Sequence, residues 1–477
     1  MTLSVRLHDS LFTSRDKSSW REVLVFCVVF AAVLLVSHIA RDDGHVAPEM
    51  DALRYIDYAV TLDQFGIFGL SEGDLSQAPR PGNANTPLYP AFVAGLMTID
   101  PGLRETLVCL ASREIPNRDC ALDVSTLLVA QNALTLLSLL VVFVLTVRLT
   151  RLRLAGWLAA ALTLGSGVFF ELQALFLTEN LILPLFLALM LCVALLYEDA
   201  RIRWVVCIGG LLALLTLVRP AYLYLFYGFV VFFLGLLAIK RKQQVLLHLV
   251  ALVVSFSVIT GPWLMRNKIQ LGEWSLTDGY AEVILAQRLA FNRMSWPEVG
   301  TAFLYWLPDF GDSLAKRLVK PEYYEKLGWG PQSYYITGNS NGFLTQEARK
   351  AGGEGKLIAY WIGTELIGNA PKHLAVSAAL AWRGSFVAKY WGLIGLIAFT
   401  ALLLANVRRK AYMLLIVALP VWYMVAFHGA LSVSIPRYNL PLIALCAPAM
   451  AFYICRFASA AIKSMPPDQS DTLSPSN

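Results

Sequence analysis

Charged residues are scarce in this chain of 477 residues. Asp, Glu, Lys and Arg make up 15% of it and hydrophobic residues 57%, whereas a typical soluble domain is about one quarter charged. The formal net charge of +6 is explained by Lys and Arg residues that cluster in short loops on one predicted side of a membrane. The composition therefore argues against an ordinary soluble domain and against nucleic acid as a partner. It predicts that most of the chain contacts lipid or other membrane helices.

Several sequence motifs are also missing. The chain has no Walker A loop, no Gly-x-Gly-x-x-Gly after a strand and no His-Glu-x-x-His. These absences argue against a nucleotide sugar as a substrate. No Cys or His spacing is typical of a metal site, so no metal ligands are predicted, although a divalent metal cofactor stays open.

Cysteine is used sparingly, and five of the seven cysteines lie in or at the end of apolar runs, where a thiol acts as a small hydrophobe. The other two, Cys109 and Cys120, fall in the first predicted outside loop. They would form a disulfide in an oxidising compartment, or stay reduced.

Apolar runs of spanning length recur along the chain, and they predict an all-α polytopic membrane protein with about 10–13 transmembrane helices. The first run, Val23 to Ile39, follows several basic residues and lacks a small-residue cleavage site, so it is interpreted as a retained helix rather than a signal peptide. The predicted spans are roughly 22–39, 124–147, 155–170, 177–197, 204–218, 221–239, 245–264, 388–406, 411–428 and 437–455.

The distribution of basic residues predicts the orientation of these spans. With residue 1 in the cytoplasm, each predicted inside loop contains Lys or Arg, as the positive-inside rule expects. The predicted organisation is a cytoplasmic N-terminus at 1–21, a transmembrane module at 22–264 with a first outside loop at 40–123, a large outside segment of mixed character at 265–387, further transmembrane helices at 388–456 and a disordered cytoplasmic tail at 457–477.

Two features of the outside segment are predicted in more detail. The stretches 325–330 and 337–342 are rich in turn-forming residues. Leu357 to Ala381 has a helical period and could lie along the membrane surface, with a break or kink at Pro371.

The first outside loop contains a candidate catalytic helix. Asp51, Arg54, Tyr55 and Tyr58 share one helix face, and Gly66 is predicted to end the helix. A carboxylate at the edge of the bilayer can act as a base on a substrate whose other end is dissolved in lipid. The alternative is that Asp51 only caps the helix or pairs with Arg54.

A second carboxylate lies at the mouth of a predicted span. Glu179 follows Thr178 and precedes a run without charges. A carboxylate at that depth is costly in lipid and usually faces a cavity or a partner. Thr178 and Glu179 could equally form a helix cap with a favourable dipole interaction. Glu171 is a weaker candidate.

Cations are few at the predicted outer ends of the spans. Such side chains could bind the phosphate of a lipid in the outer leaflet or reach toward headgroups without a specific ligand. His428 lies near the same level, although a lone histidine is more often structural. The outer cations are Arg219, Arg266, Lys268 and Arg437.

The order of these motifs resembles a known family, the bacterial GT-C membrane glycosyltransferases of the protein-O-mannosyltransferase and lipid A aminoarabinose transferase type. The resemblance extends from about residue 22 to 456. In chain order it rests on Asp-x-x-Arg-Tyr at 51–55, Thr-Pro-Leu-Tyr-Pro at 86–90, Thr-Glu-Asn at 178–180, Leu-Val-Arg-Pro at 217–220, Gly-Pro-Trp-Leu-Met-Arg-Asn at 261–267 and Pro-Arg-Tyr at 436–438.

The resemblance implies a GT-C-like helical bundle with a mixed periplasmic domain in the bacterial inner membrane. Its partners would be the bilayer, a polyprenyl-phosphate sugar donor and an envelope acceptor (a lipid, a glycan or a protein), with transfer of a hexose or pentose by inversion. It implies catalytic roles for Asp51 and Glu179 and donor-phosphate binding by Arg219, Arg266 and Arg437. We also predict that Lys268 binds the donor phosphate, and the predicted substrate-binding residues are Arg54, Tyr55, Tyr89 and His428. Many family members have Asp-Glu in the first loop, and Ala52 departs from that pattern.

Other functions share parts of this pattern. A transporter or flippase for a lipid-linked sugar would favour broken helices and polar residues at mid-membrane, and the largely apolar span centres argue against it. A polysaccharide polymerase or ligase using a diphosphate-linked oligosaccharide also fits a large outside segment. A non-catalytic scaffold is a third alternative.

Overall fold

The structure is a computed structural model that describes residues 20–39, 50–112, 120, 123–174, 176–240 and 242–464. Within these ranges the regular secondary structure is helical and contains no strand. The prediction of an all-α polytopic membrane protein is confirmed. The predicted cytoplasmic N-terminus (up to residue 19) and the end of the predicted tail (465–477) lie outside the described residues.

The helices follow the predicted apolar runs closely. The first half of the chain contains α1 (Trp20–Ile39), α2 (Met50–Phe65), α3 (Leu88–Met97), α4 (Pro101–Ala111), α5 (Ser125–Thr150), α6 (Arg153–Gly165), α7 (Val168–Ala174), α8 (Glu179–Asp199), α9 (Ile202–Val218), α10 (Tyr222–Lys240) and α11 (Gln243–Leu271). The second half contains α12 (Tyr280–Ala290), α13 (Trp296–Tyr305), α14 (Gly311–Leu318), α15 (Tyr334–Gly338), α16 (Asn341–Ala351), α17 (Leu357–Trp361), α18 (Ala370–Gly384), α19 (Tyr390–Arg408), α20 (Met413–Leu431) and α21 (Ile443–Ser464).

Among the described residues, 7 helices are long and apolar enough to cross a membrane. They are α5, α8, α10, α11, α19, α20 and the continuous stretch Pro436–Ala461, which combines a 3-10 turn (Pro436–Leu442) with most of α21. Three other predicted spans correspond to α1, to the shorter apolar helix α9, and to the pair α6 and α7. Helix α21 also continues to Ser464, past the predicted start of a disordered tail at residue 457.

The predicted span 155–170 is wrong as a single helix. It divides into α6 and α7 because Gly167 has φ +77°, a left-handed conformation that glycine adopts without a steric penalty and that ends a right-handed helix. The break precedes the turn that carries Thr178 and Glu179, at the same end of the bundle.

Connectivity brings the candidate residues to one end of the bundle. Short connections join successive long helices, so they alternate in direction. Ion pairs mark one end, where Arg148 Nη1 lies 2.5 Å from Glu198 Oε2 and Arg153 Nε lies 3.6 Å from Glu22 Oε2. The start of α8 and the ends of α9, α11 and α20 therefore lie at the opposite end. The basic loops and the candidate site are on opposite sides of the bundle.

The first outside loop contains α2, α3 and α4. Helix α2 ends where predicted, at Gly66 with φ +65°. Cys109 and Cys120 form a disulfide with a Cα–Cα distance of 5.9 Å, which settles the alternative that the sequence left open. The disulfide ties the end of α4 to the segment that leads into α5.

In its described residues the large outside segment combines short helices with turns and bends. The predicted turn at 337–342 is the junction between α15 and α16. Both helices are capped by serine: Ser333 Oγ accepts from Ile336 N at 3.2 Å and Ser340 Oγ accepts from Phe343 N at 3.2 Å. Pro371 lies in the first turn of α18, as expected for a proline that ends the preceding helix.

A buried polar network attaches this segment to the bundle. Arg288 of α12 is fully buried, and its Nε donates to the carbonyl oxygen of Gly429 in α20 at 2.8 Å. Its Nη2 lies 3.4 Å from His373 Nδ1, and Asn292 Nδ2 lies 3.3 Å from the same nitrogen. Because both neighbours are donors, His373 Nδ1 must be the unprotonated acceptor.

This network predicts an acid-sensitive fold. Burial, and secondly the charge of Arg288, lower the pKa of His373 to about 4, whereas an unfolded histidine has a pKa of about 6.5. Between these values the unfolded chain binds a proton that the folded chain does not, so stability falls as the pH falls. We expect a loss of about 3 kcal/mol across this window, measured as a falling Tm in detergent. In His373→Gln the decline should be shallower, and identical pH profiles for both proteins would contradict the assignment.

Candidate active site

Glu179 is the centre of a charge cluster at the outer end of the bundle. It begins α8, its side chain is 1% exposed, and its position in the first helical turn is favourable for a carboxylate. Arg219 Nη2 donates to Glu179 Oε1 at 3.1 Å, and Arg437 Nε lies 4.0 Å from the same oxygen. Thr178 Oγ1 donates to Oε2 at 3.1 Å. The buried carboxylate therefore holds two guanidinium groups.

Asp51 joins this cluster from the first outside loop. It lies in the first turn of α2 with its side chain 59% exposed, and Arg437 Nη2 donates to its Oδ2 at 3.4 Å. Its ion partner is thus Arg437 rather than the neighbouring Arg54. Arg437 connects one exposed and one buried carboxylate. The formal charges of the two carboxylates and the two arginines (Arg219 and Arg437) cancel.

Tyr438 forms the aromatic part of the cluster. The Cζ atoms of Arg219 and Arg437 lie 4.6 and 5.7 Å from its ring centroid, within the range of cation–π attraction. The ring of His428 lies 5.5 Å away. His428 Nδ1 is 3.0 Å from Asn439 Oδ1, so the histidine at the end of α20 fixes the 3-10 turn that presents Arg437.

An apolar cavity of about 800 Å³ opens beside these residues. It lies between α10, α11, α12, the stretch 358–366 and the end of α20. The polar groups in its wall include Arg219, His428 and Tyr438. Asp51 does not line this cavity and stands on the exposed side of Arg437. Its apolar wall includes Leu223, Phe226, Phe256, Leu264, Ile284 and Ile362.

The rings of Tyr55 and Tyr89 pack next to the charge cluster. Their rings are in edge contact at 5.5 Å, and Tyr89 is 1% exposed. Burial raises the pKa of Tyr55 to about 12, with Arg219, Glu179 and Asp51 as its charged neighbours. Tyr55 therefore stays neutral at physiological pH.

Three other predicted cations have surroundings that differ from those of Arg219 and Arg437: Arg54, Arg266 and Lys268. The Arg54 side chain is exposed on α2. Arg266 Nη1 donates to Gly82 O at 2.8 Å and Nη2 to Phe68 O at 2.7 Å, which ties the first outside loop to α11. Lys268 Nζ donates to Gly272 O at 2.8 Å at the end of the same helix.

The structure therefore brings together Asp51, Glu179, Arg219 and Arg437 of the residues that the sequence predicted. Tyr438 and Asn439 were missed as site residues, although both directly follow Arg437. The signal for Tyr438 was the Pro-Arg-Tyr motif at 436–438, in which only the arginine was assigned a role. Thr178 was considered only as a helix cap.

The described residues contain no group of three Asp, Glu, His or Cys side chains that could hold a metal ion. In the charge cluster, the cationic groups beside the carboxylates are the guanidinium groups of Arg219 and Arg437. A divalent metal cofactor stays a hypothesis.

One motif in the outside segment has the spacing of a catalytic serine motif but a different structure. Residues 338–342 read Gly-Asn-Ser-Asn-Gly, the spacing of a nucleophile elbow, which requires a strand-to-helix turn. Here Ser340 instead lies between two helices and its Oγ donates to Thr337 O at 2.7 Å. The motif is a helix cap.

The chain was also compared with known proteins. No family model matches it, and no curated protein does. Among solved structures, it is similar to ArnT from Cupriavidus metallidurans bound to undecaprenyl phosphate, with 15% identity, 92% of this chain and 81% of that chain covered, and a TM-score of 0.42. It is also similar to the oligosaccharyltransferase AglB from Archaeoglobus fulgidus in complex with an inhibitory peptide and a dolichol-phosphate, with 11% identity, 95% and 53% covered, and a TM-score of 0.47.

The chain spans about half the length of the archaeal protein. At these identities and TM-scores the two matches carry no functional argument.

Proposed function

We propose that this chain is a membrane glycosyltransferase of the GT-C type that moves a sugar from a polyprenyl-phosphate donor to an extracytoplasmic acceptor. The observation that carries the proposal is the arrangement of Arg219 and Arg437 around Glu179, with Arg219 in the polar wall of an apolar cavity and Arg437 next to the exposed Asp51. The motif order that resembles GT-C enzymes supports it independently.

The cavity suits the lipid part of such a donor. Its walls are mainly apolar and aromatic, as in sites that hold hydrophobic ligands. The donor phosphate would bind at the cavity wall, where Arg219 is accessible and Arg437 is its neighbour. Guanidinium groups form strong, directional hydrogen bonds with phosphate oxygens. His428 would contact the same end of the ligand.

Charge balance favours a monophosphate donor over a diphosphate. The two carboxylates already neutralise the two arginines. A phosphodiester donor adds one negative charge to this neutral cluster, whereas a diphosphate-linked donor adds two and therefore needs more compensating positive charge. This difference separates the proposal from a polymerase or ligase that uses diphosphate-linked oligosaccharides.

Asp51 would act as the general base. Its exposed carboxylate takes the proton of an acceptor hydroxyl or amine, and the acceptor atom forms a bond to the anomeric carbon. The bond between that carbon and the phosphate oxygen breaks, and polyprenyl phosphate leaves with its charge stabilised by Arg219 and Arg437. The proton passes from Asp51 to water. A single displacement of this kind inverts the anomeric configuration.

Glu179 would act by positioning the arginines. Its carboxylate is buried and holds both guanidinium groups at the level where the phosphate would bind. Ala52 is fully buried, so a second carboxylate at that position would point into the apolar core. Asp51 is therefore the proposed base of the first loop.

The positions of the basic loops support one orientation in the membrane. They lie at the end of the bundle opposite the charge cluster, and basic loops favour the cytoplasm. We place the protein in the bacterial inner membrane with the cluster facing the periplasm.

A transfer assay tests the function directly. Purified protein in nanodiscs would be mixed with polyprenyl-phosphate sugars carrying a labelled hexose or pentose and with an envelope extract as acceptor. We expect a new glycosidic bond and release of polyprenyl phosphate. Movement of the labelled lipid across the bilayer with no new bond would instead identify a flippase.

The arginines give a quantitative prediction for donor binding. Arg219→Gln and Arg437→Gln should each weaken binding of undecaprenyl phosphate by about 10- to 100-fold, since each removes a charged hydrogen bond to phosphate. Titration of fluorescent undecaprenyl phosphate measures the effect. Arg317→Gln, at an exposed position of α14, is the matched control and should bind like the wild type. Equal affinity in all four proteins would contradict the proposed phosphate site.

A further inference from the structure

An aromatic surface of the outside segment lies beside the charge cluster. Its most prominent residue is Trp329, which is 60% exposed. The ring of Tyr335 meets it in a T-shaped contact at 4.9 Å. An indole with this exposure on a structured segment has an apolar face available to a ligand.

Contacts with Trp306 and Arg383 fix the position of Trp329. Trp306 Nε1 donates to the carbonyl oxygen of Leu327 at 3.1 Å, which holds the turn that carries Trp329. Arg383 lies under the same turn, with its Cζ atom 5.4 Å from the Trp329 ring and 4.9 Å from the Trp306 ring. Its Nη2 donates to Val433 O at 2.6 Å. The indole is therefore preorganised rather than a loosely placed side chain.

Tyr335 connects this surface to the proposed base. It packs in the same outside cluster as Tyr438, the ring that carries the two arginines. Burial, then the neighbouring Tyr438 phenol and then the charge of Asp51 raise the pKa of the Tyr335 phenol. Tyr335 is thus in ring contact with Trp329 and within electrostatic reach of Asp51.

We propose that Trp329 and Tyr335 form the acceptor site, and that the acceptor is a carbohydrate whose ring stacks on the Trp329 indole. This inference rests on the proposed glycosyl transfer. The C–H groups on one face of a pyranose carry partial positive charge and are attracted to the negative face of an aromatic ring. Stacking on Trp329 would direct a ring hydroxyl past Tyr335 toward Asp51.

The surroundings of Trp329 favour a sugar over a lipid chain. The exposed neighbours on the same turn include three polar residues, Glu325, Lys326 and Gln332, beside Gly330 and Pro331. A single aromatic face surrounded by hydrogen-bonding groups matches a ring that is apolar on one side and rich in hydroxyls at its edge. An acyl chain would need a continuous apolar surface.

The test uses saturation-transfer NMR on the full chain in nanodiscs. The probes are N-acetylchitotriose, maltotriose and methyl α-mannopyranoside, and binding of undecaprenyl phosphate is measured on the same samples. We expect at least one saccharide to receive saturation from aromatic protons. In Trp329→Ala its affinity should fall by about 10-fold, and Trp329→Phe should restore part of it. Trp296→Ala, which removes an indole that is 58% exposed and stacks on Lys372, is the matched control.

The outcomes separate the two proposals. Undecaprenyl phosphate should bind equally well to Trp329→Ala and to the wild type, because the substitution leaves the arginines intact. Wild-type protein that binds undecaprenyl phosphate but no saccharide, or that binds a saccharide equally well after Trp329→Ala, overturns the acceptor site alone. Wild-type protein that binds a saccharide through Trp329 but no undecaprenyl phosphate overturns the proposed function and leaves a carbohydrate site.

Discussion

Replacing Asp51 with asparagine is expected to lower the rate of sugar transfer by about 10²- to 10⁴-fold, the usual contribution of a general base. Asparagine has nearly the same shape and cannot accept the acceptor proton. Because the Asp51 side chain is 59% exposed and its contact with Arg437 is 3.4 Å long, the substitution should leave expression, Tm and undecaprenyl phosphate binding close to wild type. The rate is measured with labelled donor at saturating acceptor.

Asp74→Asn is the matched control for this experiment. Asp74 is an exposed aspartate of the same outside loop, and its carboxylate accepts hydrogen bonds from the backbone N–H and the Oγ of nearby Ser76. Its substitution should leave the rate unchanged. Wild-type turnover in Asp51→Asn would remove Asp51 from the mechanism, whatever the behaviour of the arginines.

Replacing Glu179 with alanine should have the largest effect on stability. Removing one partner of a buried ion pair costs about 3–5 kcal/mol. Here the remaining Arg219 is 13% exposed, and Arg437 loses its contact with the same oxygen. We expect a lower Tm and little transfer activity. Added undecaprenyl phosphate should raise the Tm of this variant more than that of the wild type, because its phosphate replaces the missing carboxylate between the arginines.

Glu171→Ala tests the specificity of that effect. Glu171 lies on α7, the helix that precedes Glu179 in the chain, and its side chain is exposed. Its loss should therefore change neither Tm nor activity. A Tm of Glu179→Ala equal to that of the wild type would mean that the buried carboxylate does not hold the arginines.

The local features of the site could be predicted from the sequence because they depend on local rules. Helical periodicity predicts that Asp51 and Tyr55 share one face of α2. The end of α2 could be predicted because glycine, here Gly66, readily adopts the positive φ that ends a helix. That Glu179, Arg219 and Arg437 meet at one level follows from counting the spans, since an even number of crossings returns the chain to the same side.

The pairings within the site could not be predicted in this way. Asp51 contacts Arg437 across 386 positions of sequence, and local spacing instead suggested Arg54. The donors of Arg266 are directed at the carbonyl oxygens of Phe68 and Gly82, which no pattern around Arg266 indicates. Tyr335, the ring partner of Trp329, joins the same cluster as Tyr438 only because the outside segment folds back onto the 3-10 turn. Such contacts depend on how helices pack.

A cryo-EM structure of the protein in nanodiscs with undecaprenyl phosphate tests the central claim most directly. We predict that the phosphate lies within hydrogen-bonding distance of the Arg219 and Arg437 guanidinium groups, next to Asp51, and that the prenyl chain follows the apolar wall past Phe226 and Phe256. Phosphate density at the basic end of the bundle, or away from both arginines, would contradict it.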